Sequence, residues 1–347
     1  MACVVALGWV VQRTGLLSGR SLPRGIARGG SGDSDGGAGA RQTLATLSFT
    51  ICAPALMFST LASTDLAHVL SRGAAVTWAT TAALGLVTAA VARWLLRLPA
   101  GPAAVTTLAA VYVNGGNIGI PLAVYLFDDA LAVVPTLLFQ LLVLAPLTLS
   151  VLDRSVSADG RAVARSGWRS MGHVFLAALR NPITLGTVAG LLVAVLSELT
   201  GARLPDVVLM PFDLIGAAAP PLGLLMFGMT LAVPLPPADA DRGAGGVDAG
   251  AGAGAGLGRR IVGSVIAVAV LVRNVLHPLA AWGLGTAVGL DGPALAVVVT
   301  MAALPTAVNV TTYATRYGVF DGVAARATVW TTALCIPVLV AIGALLA

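Results

Sequence analysis

The sequence contains no lysine and a single glutamate, Glu198, and only 10% of its 347 residues are charged. A soluble domain carries about 25% charged residues, so the composition excludes an ordinary soluble protein. All 20 basic residues are arginines. Cysteine is scarce as well. Cys3, Cys52 and Cys335 are odd in number and show no CxxC spacing, so neither a disulfide framework nor a zinc site is expected. The familiar enzyme signatures are missing: there is no His-Glu-x-x-His, no pair of intramembrane aspartates and no Ser–His nucleophile arrangement. A Walker A phosphate loop is also lacking, which argues against ATP-driven transport by this chain alone. The N-terminus has no basic region ahead of its apolar run, so no cleavable signal peptide is expected. No enzymatic activity and no cofactor are expected.

What is present is apolar. Hydrophobic residues make up 57% of the chain and the mean hydropathy is +0.92, values of an all-α polytopic membrane protein. Ten apolar segments can be drawn, at 2–17, 43–62, 71–96, 102–126, 130–152, 174–197, 207–233, 260–288, 292–315 and 323–346. A spanning helix needs roughly 20 apolar residues. Every segment except the first meets that requirement; Arg13 interrupts the first, which reads either as a shortened first helix or as a short interfacial one.

The arginines set the orientation. With the N-terminus outside, 17 of them fall in or beside the loops after segments 1, 3, 5, 7 and 9, against Arg72 and Arg203 on the other side. Basic residues favour the cytoplasmic side. The opposite side collects Asp65, Asp128, Asp129, Asp206 and Asp291. A pI near 9.7 would suit nucleic-acid binding, but this placement reads as membrane topology, and no nucleic-acid partner is expected. The expectation is a multi-pass protein of the cytoplasmic membrane with both termini external. Residues 18–40, rich in Gly, Ser and Arg, and residues 234–258, with Pro-Leu-Pro-Pro and an Ala-Gly tract, lack the apolar mass to fold and read as flexible cytoplasmic loops. Residues 153–173 form a basic cytoplasmic linker suited to rest against anionic membrane lipid.

The linker divides the chain into residues 1–152 and 174–347, each with five segments. An odd number per half forces opposite orientations, which is an inverted repeat. Two segments, the fourth in each half, are interrupted by helix breakers. One carries Asn114-Gly115-Gly116-Asn117-Ile118-Gly119-Ile120-Pro121, the other Leu304-Pro305-Thr306-Ala307-Val308-Asn309. Glycine and proline free backbone groups that hydrocarbon cannot satisfy, so irregular backbone at that depth must line a protein-enclosed cavity. Interrupted segments in corresponding places of two halves point to a transporter's binding site.

These motifs carry a resemblance. The run from Asn114 to Pro121 is similar to the fourth-helix motif of the auxin efflux carrier family, which includes plant PIN carriers and bacterial permeases described as malonate or malate transporters. Gly216-Ala-Ala-Ala-Pro-Pro-Leu222 with Phe227-Gly228 is similar to the family's seventh helix, Ala303-Leu-Pro-Thr-Ala-Val-Asn309 with Tyr317-Gly318 to its ninth, and Asn181-Pro182 to the opening of its sixth. The resemblance implies ten helices in two inverted five-helix repeats, with helices 4 and 9 broken and crossing, and transport of a small organic anion across a bacterial inner membrane. Where family members often place a lysine in helix 8, this chain has Arg273.

The residues themselves support the same candidates. Half-helix ends bind carboxylates, and Asn114, Asn117 and Asn309 add neutral amides that suit a site obliged to release its ligand. The candidate substrate-binding set is Asn114, Gly116, Asn117, Gly119, Pro121, Pro305, Asn309 and Arg273. Arg273 lies far inside segment 8, where a charge faces a cavity or an acid. Attraction of a carboxylate substrate and pairing with Asp213 are both open. Asp213 and His277 are the candidates for coupling to H+ or Na+. Two other functions fit the architecture, a sodium-coupled symporter of the bile-acid type and a non-transporting membrane sensor or structural protein. The partners expected are a mono- or dicarboxylate and membrane lipid, with a homodimer left open.

Overall fold

The computed structural model describes residues 2–14, 43–64, 71–158, 182–231 and 253–346. Among these residues the secondary structure is helical apart from one isolated antiparallel bridge. Seven helices are long and apolar enough to cross a membrane: Thr43–Ala62, Arg72–Leu95, Ala130–Ser155, Pro182–Thr200, Asp206–Met226, Arg260–Ala287 and Asp321–Leu345. Segments 4 and 9 miss the length criterion because each is two short helices. Segment 4 is Ala100–Val111 followed by Gly115–Phe127, and segment 9 is Gly292–Ala302 followed by Val308–Tyr317. Segment 1 is a 13-residue helix, Ala2–Thr14, with the Arg13 guanidinium 5.2 Å from the Trp9 ring.

The expected loop at 18–40 lies outside the described residues. Of 234–258, the last part does not remain a loop, since the helix of segment 8 begins at Ala253 in the alanine-containing tract. The linker expected from 153 likewise begins as helix, with segment 5 continuing to Ala158.

Proline explains four of the five π-turns among the described residues; Val91–Leu95 has no proline at the same spacing. Ser48–Cys52, Gly115–Gly119, Gln140–Leu144 and Val272–Leu276 are five-residue π-turns. Each is followed, after one residue, by proline: Pro54, Pro121, Pro146 and Pro278. A proline ring clashes with the carbonyl four residues earlier and offers that carbonyl no N–H. Widening the preceding turn by one residue relieves the clash while the helix continues. Thus the His277 N–H reaches back five residues to the Val272 carbonyl, and the Ala145 N–H to that of Gln140.

The chain forms two compact units, each drawing on both halves of the sequence. One contains Ala2–Thr14, Thr43–Ala62, residues 116–127, Pro182–Thr200, Asp206–Gly216 and Ala219–Leu231. Close backbone approach holds it together. A Cβ on Gly190 would sit 2.7 Å from the Phe58 carbonyl oxygen, and the Phe58 and Phe212 rings pack with centroids 4.6 Å apart. Small residues permit such approach where lipid supplies no hydrophobic drive between helices. The other unit contains segments 3, 5, 8, 9 and 10 and the first half of segment 4. Its buried core runs through Leu108, Tyr112, Leu152, Val265, Val310 and Phe320.

Candidate functional site

Segment 4 leaves the helix at Tyr112, whose φ of −89° and ψ of 107° are extended. Segment 9 leaves it after Ala302 and resumes at Val308. The two freed stretches pair with each other. Val113 and Thr306 form an antiparallel bridge in which the Asn114 N–H donates to the Pro305 carbonyl at 2.8 Å and the Ala307 N–H to the Tyr112 carbonyl at 3.0 Å. Pro305 has no N–H, so it contributes an acceptor without adding a donor that must be satisfied.

The remaining freed N–H groups also find partners. That of Val113 donates to Gln140 Oε1 at 3.1 Å, that of Thr306 to Thr331 Oγ1 at 3.2 Å, and that of Gly115 to the Val113 carbonyl at 2.8 Å. The Thr306 hydroxyl donates to the Ala109 carbonyl at 2.6 Å. Backbone donors buried without a partner are costly, and this crossing leaves none among Val113, Asn114, Gly115, Thr306 and Ala307. Asn114 and Pro305 are buried here. Asn309 is half-buried in the first turn of Val308–Tyr317, with the Tyr112 hydroxyl beside it and beside Tyr313. The positive end of that half-helix therefore lies next to an amide and two phenols.

Residues 116–121 belong to the first unit described. Gly116 and Asn117 are half-buried there, and Gly119 and Pro121 are buried. Segment 7 packs directly onto this turn, so that a Cβ on Gly223 would lie 2.6 Å from the Asn117 carbonyl oxygen and 2.7 Å from Pro121 Cγ. A Cβ on Gly116 would lie 2.9 Å from the Phe49 ring. These glycines are required by close approach rather than by backbone conformation.

Arg273 is fully buried, on the π-turn near the middle of segment 8. Its Nη2 bonds His277 Nδ1, one helical turn on, and donates to the Ala302 carbonyl, just before the break of segment 9. His277 Nε2 is 3.2 Å from the Thr81 hydroxyl of segment 3. Since Thr81 donates to the Thr77 carbonyl at 2.6 Å, the imidazole donates through Nε2 and accepts through Nδ1. The neighbouring Asn274 donates to the Thr331 carbonyl at 3.1 Å. Asp213, the acid considered as a partner for Arg273, is exposed on Asp206–Gly216, and the hydrogen bonds of Arg273 go to His277 and Ala302 instead.

A family model described as "Membrane transport protein" matches residues 38–342, a stretch that takes in both breaks and the buried arginine. The chain belongs to the auxin efflux carrier family. It is therefore a membrane transport protein of a transporter family, not an enzyme family. Comparison with curated proteins gives no match.

Within this auxin efflux carrier family member, the candidates fall into groups. Asn114, Pro305 and Asn309 lie at the crossing, Arg273 and His277 form one buried cluster beside Ala302, and Asp213 is exposed on Asp206–Gly216. Two residues that hold the crossing escape a motif search. Gln140 carried a usable signal, being a single amide inside the apolar run Leu137-Leu-Phe-Gln-Leu-Leu-Val143. Thr331 carried none, since threonine is common throughout these helices and bonds its own backbone there.

Proposed function

We propose that the protein is a secondary active transporter that carries a small organic anion across the cytoplasmic membrane by alternating access. One observation carries this reading: two broken helices pair at a crossing where the freed N–H groups of Val113, Asn114, Gly115, Thr306 and Ala307 are all satisfied inside the protein. A purely structural membrane protein gains nothing from that arrangement, whereas a carrier gains half-helix ends and amides held away from lipid.

The binding set on this reading is Asn114, Gly116, Asn117, Gly119, Pro121, Pro305 and Asn309, with Arg273 supplying positive potential from behind Ala302. A neutral lining under a buried cation suits a mono- or dicarboxylate that must also be released. His277 and Asp213 are the groups available for coupling to H+ or Na+. His277 has the closer connection to the crossing, through Arg273.

The inverted five-helix repeat belongs to the proposal as well. Its support is the matched way each break is held. Val113 is held by Gln140, 27 residues on in the next segment, and Thr306 by Thr331, 25 residues on in its next segment. The arginine distribution supports external termini and a cytoplasmic linker between the repeats.

The test is flux. Protein reconstituted in liposomes should accumulate radiolabelled malonate or malate, or another carboxylate picked out by thermal-shift screening, under an imposed proton, sodium or electrical gradient. Gradient-independent retention no greater than in protein-free liposomes, across carboxylates that bind, would overturn the reading.

A further inference from the structure

Arg273 poses a charge problem. Its guanidinium is wholly buried, Nε and Nη1 have no hydrogen-bond partner, and no carboxylate contacts it among the described residues. A buried charge left without a counter-charge is strongly unfavourable.

Next to it lies a small chamber, walled by Thr77 and Thr81 of segment 3, Val111 and Val113 of segment 4, Thr136 and Gln140 of segment 5, His277 of segment 8, and Met301 and Ala302 of segment 9. Two of its walls, His277 and Ala302, are the direct hydrogen-bond partners of Arg273. Thr77 and Thr81 spend their hydroxyl protons on the Gly73 and Thr77 carbonyls, which leaves Thr136 and Gln140 as the uncommitted donors of this chamber. Gln140 Oε1 is occupied by the Val113 N–H, and its Nε2 makes no hydrogen bond among the described residues. The Thr136 hydroxyl, one helical turn earlier on the same face, makes none among the described residues either. Both side chains are more than nine-tenths buried, with relative exposures of 4% and 8%. Unpaired buried donors call for an acceptor.

We infer that this chamber binds one small monatomic anion, chloride being the physiological example, held by Thr136 and Gln140 and serving as the counter-ion of Arg273. The free space is on the order of a single water molecule, too small for a carboxylate substrate. A sodium ion would face the field of an uncompensated guanidinium. The chamber borders the crossing and shares Arg273 with the proposed substrate site, but the inference does not depend on transport.

Full-length protein in detergent tests it. Thermal unfolding is followed while sodium chloride replaces sodium gluconate at constant ionic strength. The melting temperature should rise saturably with chloride and with bromide, and not with gluconate or sulfate. Thr136→Val removes one donor at nearly unchanged volume and leaves the Gln140–Val113 bond intact. It should weaken the apparent chloride affinity roughly five-fold, the effect of one ordinary hydrogen bond. Gln140→Glu keeps an acceptor for Val113 and builds a carboxylate into the chamber. It should melt at the same temperature in chloride and gluconate, and higher in gluconate than the wild type. Identical wild-type melting in chloride and gluconate, or unchanged chloride dependence in Gln140→Glu, means the chamber holds water only and the inference is wrong. If Thr136→Val does not fold, Gln140→Glu decides alone.

Discussion

Gln140 Oε1 accepts the N–H of Val113 at 3.1 Å, and so a side chain of segment 5 takes the place of the helical carbonyl that segment 4 gave up. The bond ties the geometry of the break to a single residue of its neighbour. Gln140→Leu should strand that donor and lower stability by about 1–3 kcal/mol, the cost of an unsatisfied buried polar group. Thermal unfolding of the purified variants measures this. A Gln140→Leu protein as stable as Gln140→Glu would show that Val113 finds another acceptor.

Asn117 is half-buried on the turn after the break. Asn117→Ala removes an amide but little packed volume. Membrane insertion and melting temperature should stay near wild type while flux of a verified substrate falls by an order of magnitude or more. Wild-type flux at full expression would remove Asn117 from the binding set.

Gly223 sits where a Cβ would press on the Asn117 carbonyl oxygen at 2.6 Å. Gly223→Ala should shift that turn and destabilise the protein by about 1–3 kcal/mol, as overpacking does. Gly263, whose Cβ position is open, is the control: Gly263→Ala should be neutral or slightly stabilising.

Arg273 and His277 share a hydrogen bond inside segment 8. A double-mutant cycle with Arg273→Gln and His277→Gln should return a coupling of about 0.5–3 kcal/mol in thermal stability, the range for residues in one network. The cycle of Arg273→Gln with Asp213→Asn should be additive, because Asp213 is exposed and takes no part in the hydrogen bonds of Arg273. Substantial rescue by Asp213→Asn would restore the ion pair that the sequence left open.

Orientation is checked by labelling. Single cysteines at Asp129 and Ser157, in a cysteine-free background, should react from opposite sides of intact cells, Asp129 from outside. Reaction of both from one side would contradict the ten-helix topology.

The positions of the two breaks could be read directly, because Gly115-Gly116 and Pro305 cannot sit in an unbroken apolar helix without cost. The burial of Arg273 could be read from its depth in segment 8. The partners could not. Val113 has no polar side chain and gives no sign that its backbone pairs with Thr306, 193 residues away in sequence. Arg273 could have met a carboxylate from any neighbouring helix, and only the packing shows that it meets His277 and the Ala302 carbonyl. The start of segment 8 at Ala253 was hidden by composition, since alternating alanine and glycine reads as a linker although alanine favours helix.

The π-turns ahead of Pro146 and Pro278 act as one-residue insertions. Each residue advances an α-helix by about 100°, so everything upstream of such a turn is rotated relative to everything downstream. Gln140 and Arg273 stand on these turns, and both side chains are buried there. A single phase of hydrophobic periodicity cannot describe either helix. It also follows that replacing either proline and deleting one residue from its turn would rotate the stretches on either side by about 100° relative to each other and take the polar residue out of register with its partners. In this protein the irregular helix is the one that can be inserted with its charge hidden.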